Sequence, residues 1–127
     1  MGTPLYNRGV VNAMLSAEAI RTAIARYGNK QAPTSEQVRW GFENLNLTEK
    51  RLDEMGMKGF THPIKVSCED HEGGGPVLIQ QWDGKKWSVV SDWIPVMRDA
   101  VRPKIEAAAV DEGKKLGYTP RDCSKEK

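Results

Sequence analysis

The chain has 127 residues, 39% of them hydrophobic and 28% charged, with 19 basic against 17 acidic residues and a net charge of +2. That length supports one domain with a modest core, and the near-neutral balance gives no reason to expect nucleic acid or an anionic membrane as partner. No apolar run approaches the roughly 20 residues that cross a bilayer, and the start, MGTPLYNRG, has neither the basic nor the apolar region of a signal peptide.

The first predicted element is a helix over Val10–Tyr27. Val10, Ala13, Met14, Ala17, Ile20 and Ile24 recur at helical spacing on one face, and Gly28 suits the stop. A second helix starts near Thr34, where Thr34 and Gln37 have the spacing of a capping box. Val38, Phe42 and Leu45 give it an apolar stripe, and Asn44–Asn46 reads as its exit. A third, short helix starts at Thr48, with Leu47 and Leu52 at the two ends of a hydrophobic staple, and ends at Gly56.

From Ile64 the period changes to two. Ile64, Val66 and Cys68 alternate with Lys65 and Ser67, as in a half-buried strand. Val77–Trp82 and Trp87–Asp92 read as two more strands around Asp83-Gly84-Lys85-Lys86, a hairpin signal. A two-residue loop would pair Trp82 with Lys85, and a four-residue loop would pair Trp82 with Trp87; the sequence leaves both registers open. A last helix runs from about Asp99 to Leu116, with Val101, Ile105, Ala108 and Leu116 on one face and Gly117 as its stop. Pro103 must fall in its first turn or kink it. The order helix, helix, short helix, strand, β-hairpin, long C-terminal helix is α+β.

Several stretches carry side chains capable of chemistry. "VSCEDHEGGG" places Cys68, Glu69, Asp70, His71 and Glu72 before a run of glycines. A metal site needs three or four converging ligands, and a nucleophilic Cys68–His71 pair needs mutual reach; neighbours three apart on a strand or turn rarely have it. A polar loop with glycines at positive φ accounts for the stretch more simply. The glycines are followed by a strand rather than a helix, which argues against a phosphate cradle. Cys68 and Cys123 lie too far apart in sequence for a CxxC zinc cluster; one disulfide between them is open in an oxidising compartment, although Cys123 sits in a tail that reads as frayed, which argues against it. Trp82 and Trp87 around Lys85-Lys86 fit a cross-strand aromatic pair or a surface that stacks on sugars or bases. Asn7 is positioned to cap the first helix, leaving Tyr6 and Arg8 to face a ligand carrying a carboxylate.

Four stretches in order, "LYNRGVVNAMLSAEAIRTA", "TSEQVRWGFENLNLTEKRLDEMGMKGF", "HPIKVSCEDHEGGG" and "IQQWDGKKWSVVSDW", resemble the C-terminal part of bacterial ABC-transporter substrate-binding proteins of the branched-chain amino acid and amide type. The resemblance implies an α/β parent fold, the two-lobed type I periplasmic binding fold, of which 1–127 would be a single C-terminal segment ending in a flexible tail at 118–127. It implies a solute-binding component of an importer for branched-chain amino acids, amides or related small polar solutes, periplasmic and served by a cognate membrane permease. It implies no catalysis, no cofactor and no metal. Tyr6, Asn7 and Arg8 would then be ligand-binding residues at the cleft. With the earlier strands missing, the isolated segment is expected to form a homodimer or to be marginally stable. The alternative reading is a small metal- or cysteine-dependent enzyme centred on Cys68, Asp70 and His71.

Overall fold

The computed structural model describes residues 3–119 and 121–125. Two compact units divide the chain, Met1–Gly75 and Pro76–Lys127, and each has its own construction.

In the first unit, helix α1 covers Pro4–Tyr27. It begins six residues before the predicted start because Thr3-Pro4 is itself a start signal. The Thr3 hydroxyl accepts the Tyr6 N–H at 3.4 Å, and proline at the first helical position gives up an N–H that would have no helical partner there. Asn7 is therefore inside the helix and does not cap it. At the other end the Gly28 N–H donates to the Ile24 carbonyl at 2.8 Å, and Gly28 takes φ +88°.

Helix α2, Ser35–Glu43, starts with the expected capping box: the Gln37 side chain accepts the Thr34 N–H at 2.9 Å and the Thr34 hydroxyl accepts the Gln37 N–H at 3.3 Å. The faces by which α1 and α2 bury themselves differ from the predicted stripes. Ala19 and Ala23 of α1 are fully buried, whereas Ile20 and, on α2, Phe42 are exposed. Gly41 explains the rotation. A Cβ there would overlap the Ala19 carbonyl, so the helix backbones approach closely and only small side chains fit between them. Hydrophobicity alone misplaces that face because its seam is made of alanine and glycine.

Strand β1, Asn46–Leu47, occupies what the sequence reads as a helix exit. It pairs antiparallel with β2, Ile64–Lys65, in the register Asn46↔Lys65 and Leu47↔Ile64. The Val66 N–H extends the pairing to the Leu45 carbonyl at 3.0 Å. Helix α3, Glu49–Glu54, is capped by Thr48, whose hydroxyl accepts the Arg51 N–H at 3.2 Å. Leu47 and Leu52 are each 2% exposed, which is the staple read from the sequence. With Ala19, Ala23 and Leu45 they form the core of this unit.

In the second unit, β3 (Gln80–Trp82) and β4 (Trp87–Val89) form an antiparallel hairpin with Trp82 opposite Trp87. The four-residue loop is thus the one adopted. Asp83 sets it: its Oδ1 accepts the N–H groups of Lys85 at 2.8 Å and Lys86 at 2.9 Å, and Gly84 supplies φ +97°. Val77 and Ile94 bridge the ribbon's base through mutual N–H···O bonds of 3.0 and 2.9 Å. Helix α4, Arg98–Leu116, ends in a left-handed Gly117 with the Tyr118 N–H returning to the Gly113 carbonyl at 2.8 Å. Pro103 lies beyond the first turn of α4, so the Asp99 carbonyl lacks the donor it would otherwise receive four residues on. No described residue of this unit is buried. Of the tail at 118–127, Pro120, Glu126 and Lys127 lie outside the described residues. Cys123–Lys125 form a 3-10 turn in which Asp122 accepts both the N–H (3.1 Å) and the hydroxyl (2.6 Å) of Ser124.

Candidate functional site

Glu18, on α1, is a buried acid with a side chain 7% exposed. Two guanidinium groups hold it. Arg51 of α3 grips it with a fork, Nη2 to Oε1 at 2.6 Å and Nε to Oε2 at 3.0 Å. Arg21, one turn along α1, donates through Nε at 2.9 and 3.1 Å. Arg51 also reaches Glu54 at 3.2 Å. The hydrogen bonds from Arg51, opposed by burial and reinforced by Arg21, lower the Glu18 carboxyl to a pKa of about 2. The same pairing raises Arg51 above the usual guanidinium range. A carboxylate held ionised by two arginines neither takes nor gives a proton near neutrality. It ties α1 to α3 and is structural.

A second buried acid, Glu43 at the end of α2, receives His71. The His71 Nε2 lies 3.3 Å from Glu43 Oε1, and Arg39 Nη1 lies 3.7 Å from the same oxygen. This partner settles much of the chemistry that "VSCEDHEGGG" suggests. Strand β2 ends at Lys65 rather than running to Cys68. The chain turns instead at Ser67–Asp70, where the two residues exchange backbone hydrogen bonds of 3.0 and 3.2 Å. The Asp70 Oδ1 accepts the Glu72 N–H at 3.2 Å, and Gly73 and Gly74 take φ +71° and +63°. Cys68 and Cys123 are both disulfide-bonded, contrary to the expectation against a disulfide, and Cys123–Lys125 form a 3-10 turn. Cys68 therefore carries no thiol to act as a nucleophile. Among the described residues no group of three or more His, Cys, Asp or Glu side chains converges as for a metal ion. The three residues of the enzyme reading thus go to a disulfide, a turn and a contact with Glu43.

Tyr6, Asn7 and Arg8 occupy the first turns of α1 rather than a segment leading into it. Successive helical residues point about 100° apart, so the three do not share a face. Tyr6 is 61% exposed, Arg8 is exposed, and Asn7 is half-buried. The Asn7 Oδ1 is buried without a hydrogen-bond partner among the described residues. A crevice of about 520 Å³ opens where α1 passes into α2, lined by the Gly28–Ala32 loop with Tyr27, Thr34 and Gln37. Beside it the Arg26 guanidinium stands 4.8 Å from the Trp40 ring centre, and Tyr27 meets Trp40 edge-on at 5.6 Å. Thr34 and Gln37 engage their side-chain oxygens in the capping box, and the other polar side chains at the crevice are those of Asn29, Lys30 and Gln31. In the second unit the Trp82 and Trp87 rings lie 5.6 Å apart on the hairpin at an interplanar angle of 49°.

No protein-family model and no curated protein sequence matches the chain. A solved structure described as an ABC transporter permease from the Pseudomonas fluorescens group is similar to it, with a TM-score of 0.85 and 45% identity over 93% of this chain. The chain spans 28% of the length of that structure.

This comparison corrects the reading of the chain as the solute-binding component of an importer, and with it the periplasmic binding-protein assignment: the matching structure is described as a permease. The correction has a physical reason. The quoted stretches hold a capping box at Thr34, a glycine turn at Gly73–Gly74 and an Asp83 hairpin loop. These are instructions for folding, and they do not specify which part of a transport system the fold serves. Among the described residues no helix is long and apolar enough to cross a membrane.

Proposed function

We propose that the chain is a non-spanning portion of an ABC transporter of the permease type, and that it acts in transport rather than in catalysis. The observation that carries this is the 45% identity over 93% of the chain to a structure described as an ABC transporter permease. The helices fit a segment outside the bilayer, since each carries charged side chains and none has a spanning apolar run. The membrane-spanning part then belongs to the rest of the transporter. The disulfide-bonded cysteines favour a compartment that keeps thiols oxidised, so this portion would face away from the cytosol. Its parent would have an α/β architecture, with α1, α2 and α4 covering strands from elsewhere in the transporter. In this setting Tyr6, Asn7 and Arg8 are proposed contact residues for transported solute or for a neighbouring subunit.

The test is ATP-driven uptake. Cells lacking the chain are compared with their parent for uptake of a panel of radiolabelled small solutes. Loss of one uptake activity, restored by supplying the chain, supports the reading. Uptake unchanged across the panel, with growth and membrane energy normal, counts against it.

A further inference from the structure

The β3–β4 hairpin has an amphipathic end that nothing in the first unit's chemistry uses. Cross-strand pairing puts Trp82 opposite Trp87 and Gln80 opposite Val89, so these four side chains share one face. Trp82 is 49% exposed, Trp87 65% and Val89 54%. Immediately beyond the tryptophans, the loop presents Lys85 and Lys86, both exposed. Asp83, the acidic residue of the loop, is folded back on the backbone: its Oδ1 accepts the N–H groups of Lys85 and Lys86. Its charge is thereby directed into the turn, while the two ammonium groups extend from it on long flexible stems.

We propose that this hairpin tip docks on a lipid surface bearing anionic headgroups, the Trp82–Trp87 pair entering the interfacial layer and Lys85 and Lys86 meeting lipid phosphates. The pattern demands an occupant that is apolar against the tryptophans and negative just beyond them. Tryptophan has that preference because its ring is apolar and its N–H needs a polar partner, which places it at the boundary between acyl chains and headgroups. A second copy whose tip meets this one is a poorer occupant, because that contact sets one Lys85–Lys86 pair against the other. The whole-chain charge of +2 conceals the site, since recognition depends on two lysines at one tip and not on the sum. The choice of lipid over an acidic, apolar peptide rests on the proposed place of the chain in a membrane transporter.

The test uses the full 127-residue chain and vesicles alone, with no transporter subunit, so that its failure is separable from failure of the transport reading. Vesicles of phosphatidylcholine with about one-third phosphatidylglycerol are compared with pure phosphatidylcholine by co-sedimentation. Tryptophan emission is read in parallel, with lipids brominated on the acyl chain as quenchers. The proposal expects binding to the anionic vesicles, blue-shifted and quenched emission, and weakening by salt. It expects K85A/K86A, which leaves Asp83 and the turn intact, to bind about 30-fold more weakly at about 1 kcal/mol per lysine. W82A/W87A is expected to lose the quenching, since Trp82 and Trp87 share the docking face, while α-helical circular dichroism is kept. Equal binding to both vesicle types, no binding to either, or anionic binding that K85A/K86A leaves unchanged would overturn it. So would a dimer in sedimentation equilibrium that W87A dissociates, or an acidic apolar peptide that displaces the chain from no lipid yet binds this tip.

Discussion

Replacing Glu18 by glutamine keeps the shape of the side chain and removes the charge that Arg51 and Arg21 surround. In the folded chain the carboxyl drops from 4.5 to about 2. Lowering a pKa tenfold in proton affinity corresponds to about 1.4 kcal/mol, so the pairing contributes at most roughly 3 kcal/mol, and about 2 kcal/mol once solvent screening at the partly exposed Arg51 is allowed for. Because the folded value is depressed, the contribution is complete above pH 4.5 and is lost as pH falls toward about 2. Urea unfolding of wild type and E18Q, followed by circular dichroism at pH 7, 5, 4 and 3, reads both quantities. The expected result is a gap of about 2 kcal/mol at pH 7 that narrows steadily below pH 4.5. A gap under about 0.5 kcal/mol at pH 7, or one that stays constant to pH 3, would refute the view that Glu18 is an ionised tie between α1 and α3.

Further outcomes follow from the same geometry. Gly41→Ala drives a methyl group into the Ala19 carbonyl and should cost about 1–3 kcal/mol, read as a lowered urea midpoint with unchanged slope. Thr34→Ala removes one half of the capping box and should cost about 1 kcal/mol; an unchanged midpoint would show that α2 does not depend on its cap. Maleimide should label no cysteine in the folded, unreduced chain and two after unfolding and reduction, because Cys68 and Cys123 are both disulfide-bonded. Labelling of Cys68 under native conditions would reopen the cysteine-enzyme reading.

What can be read from the sequence is mostly local. The Thr34–Gln37 capping box, the Thr48 cap with its Leu47–Leu52 staple, and the stop at Gly117 each depend on residues within a few positions of one another, and all are present. The α1–α2 seam is not legible, because a face made of Ala19, Ala23 and Gly41 has no hydrophobic signature; it is defined by how closely two backbones approach. Strand β1 escapes a sequence reading because its partner Ile64–Lys65 lies far along the chain, and two residues do not form a periodic pattern. The pairing of His71 with Glu43 and of Glu18 with Arg51 joins residues distant in sequence. No spacing rule reaches them, and Glu18 and Glu43 both lie off the apolar stripes that the sequence marks on these helices. Clustered reactive side chains around Cys68 invite a chemical reading that the turn and the disulfide absorb.

The most direct test of the central claim is isolation of the tagged chain from membranes of the cells that make it, in mild detergent, followed by native electrophoresis. The expected result is one complex that contains the chain, a membrane-spanning subunit or region, and a subunit that hydrolyses ATP. Recovery of the chain entirely apart from any ATP-hydrolysing assembly, with that assembly intact in the same membranes, would contradict it.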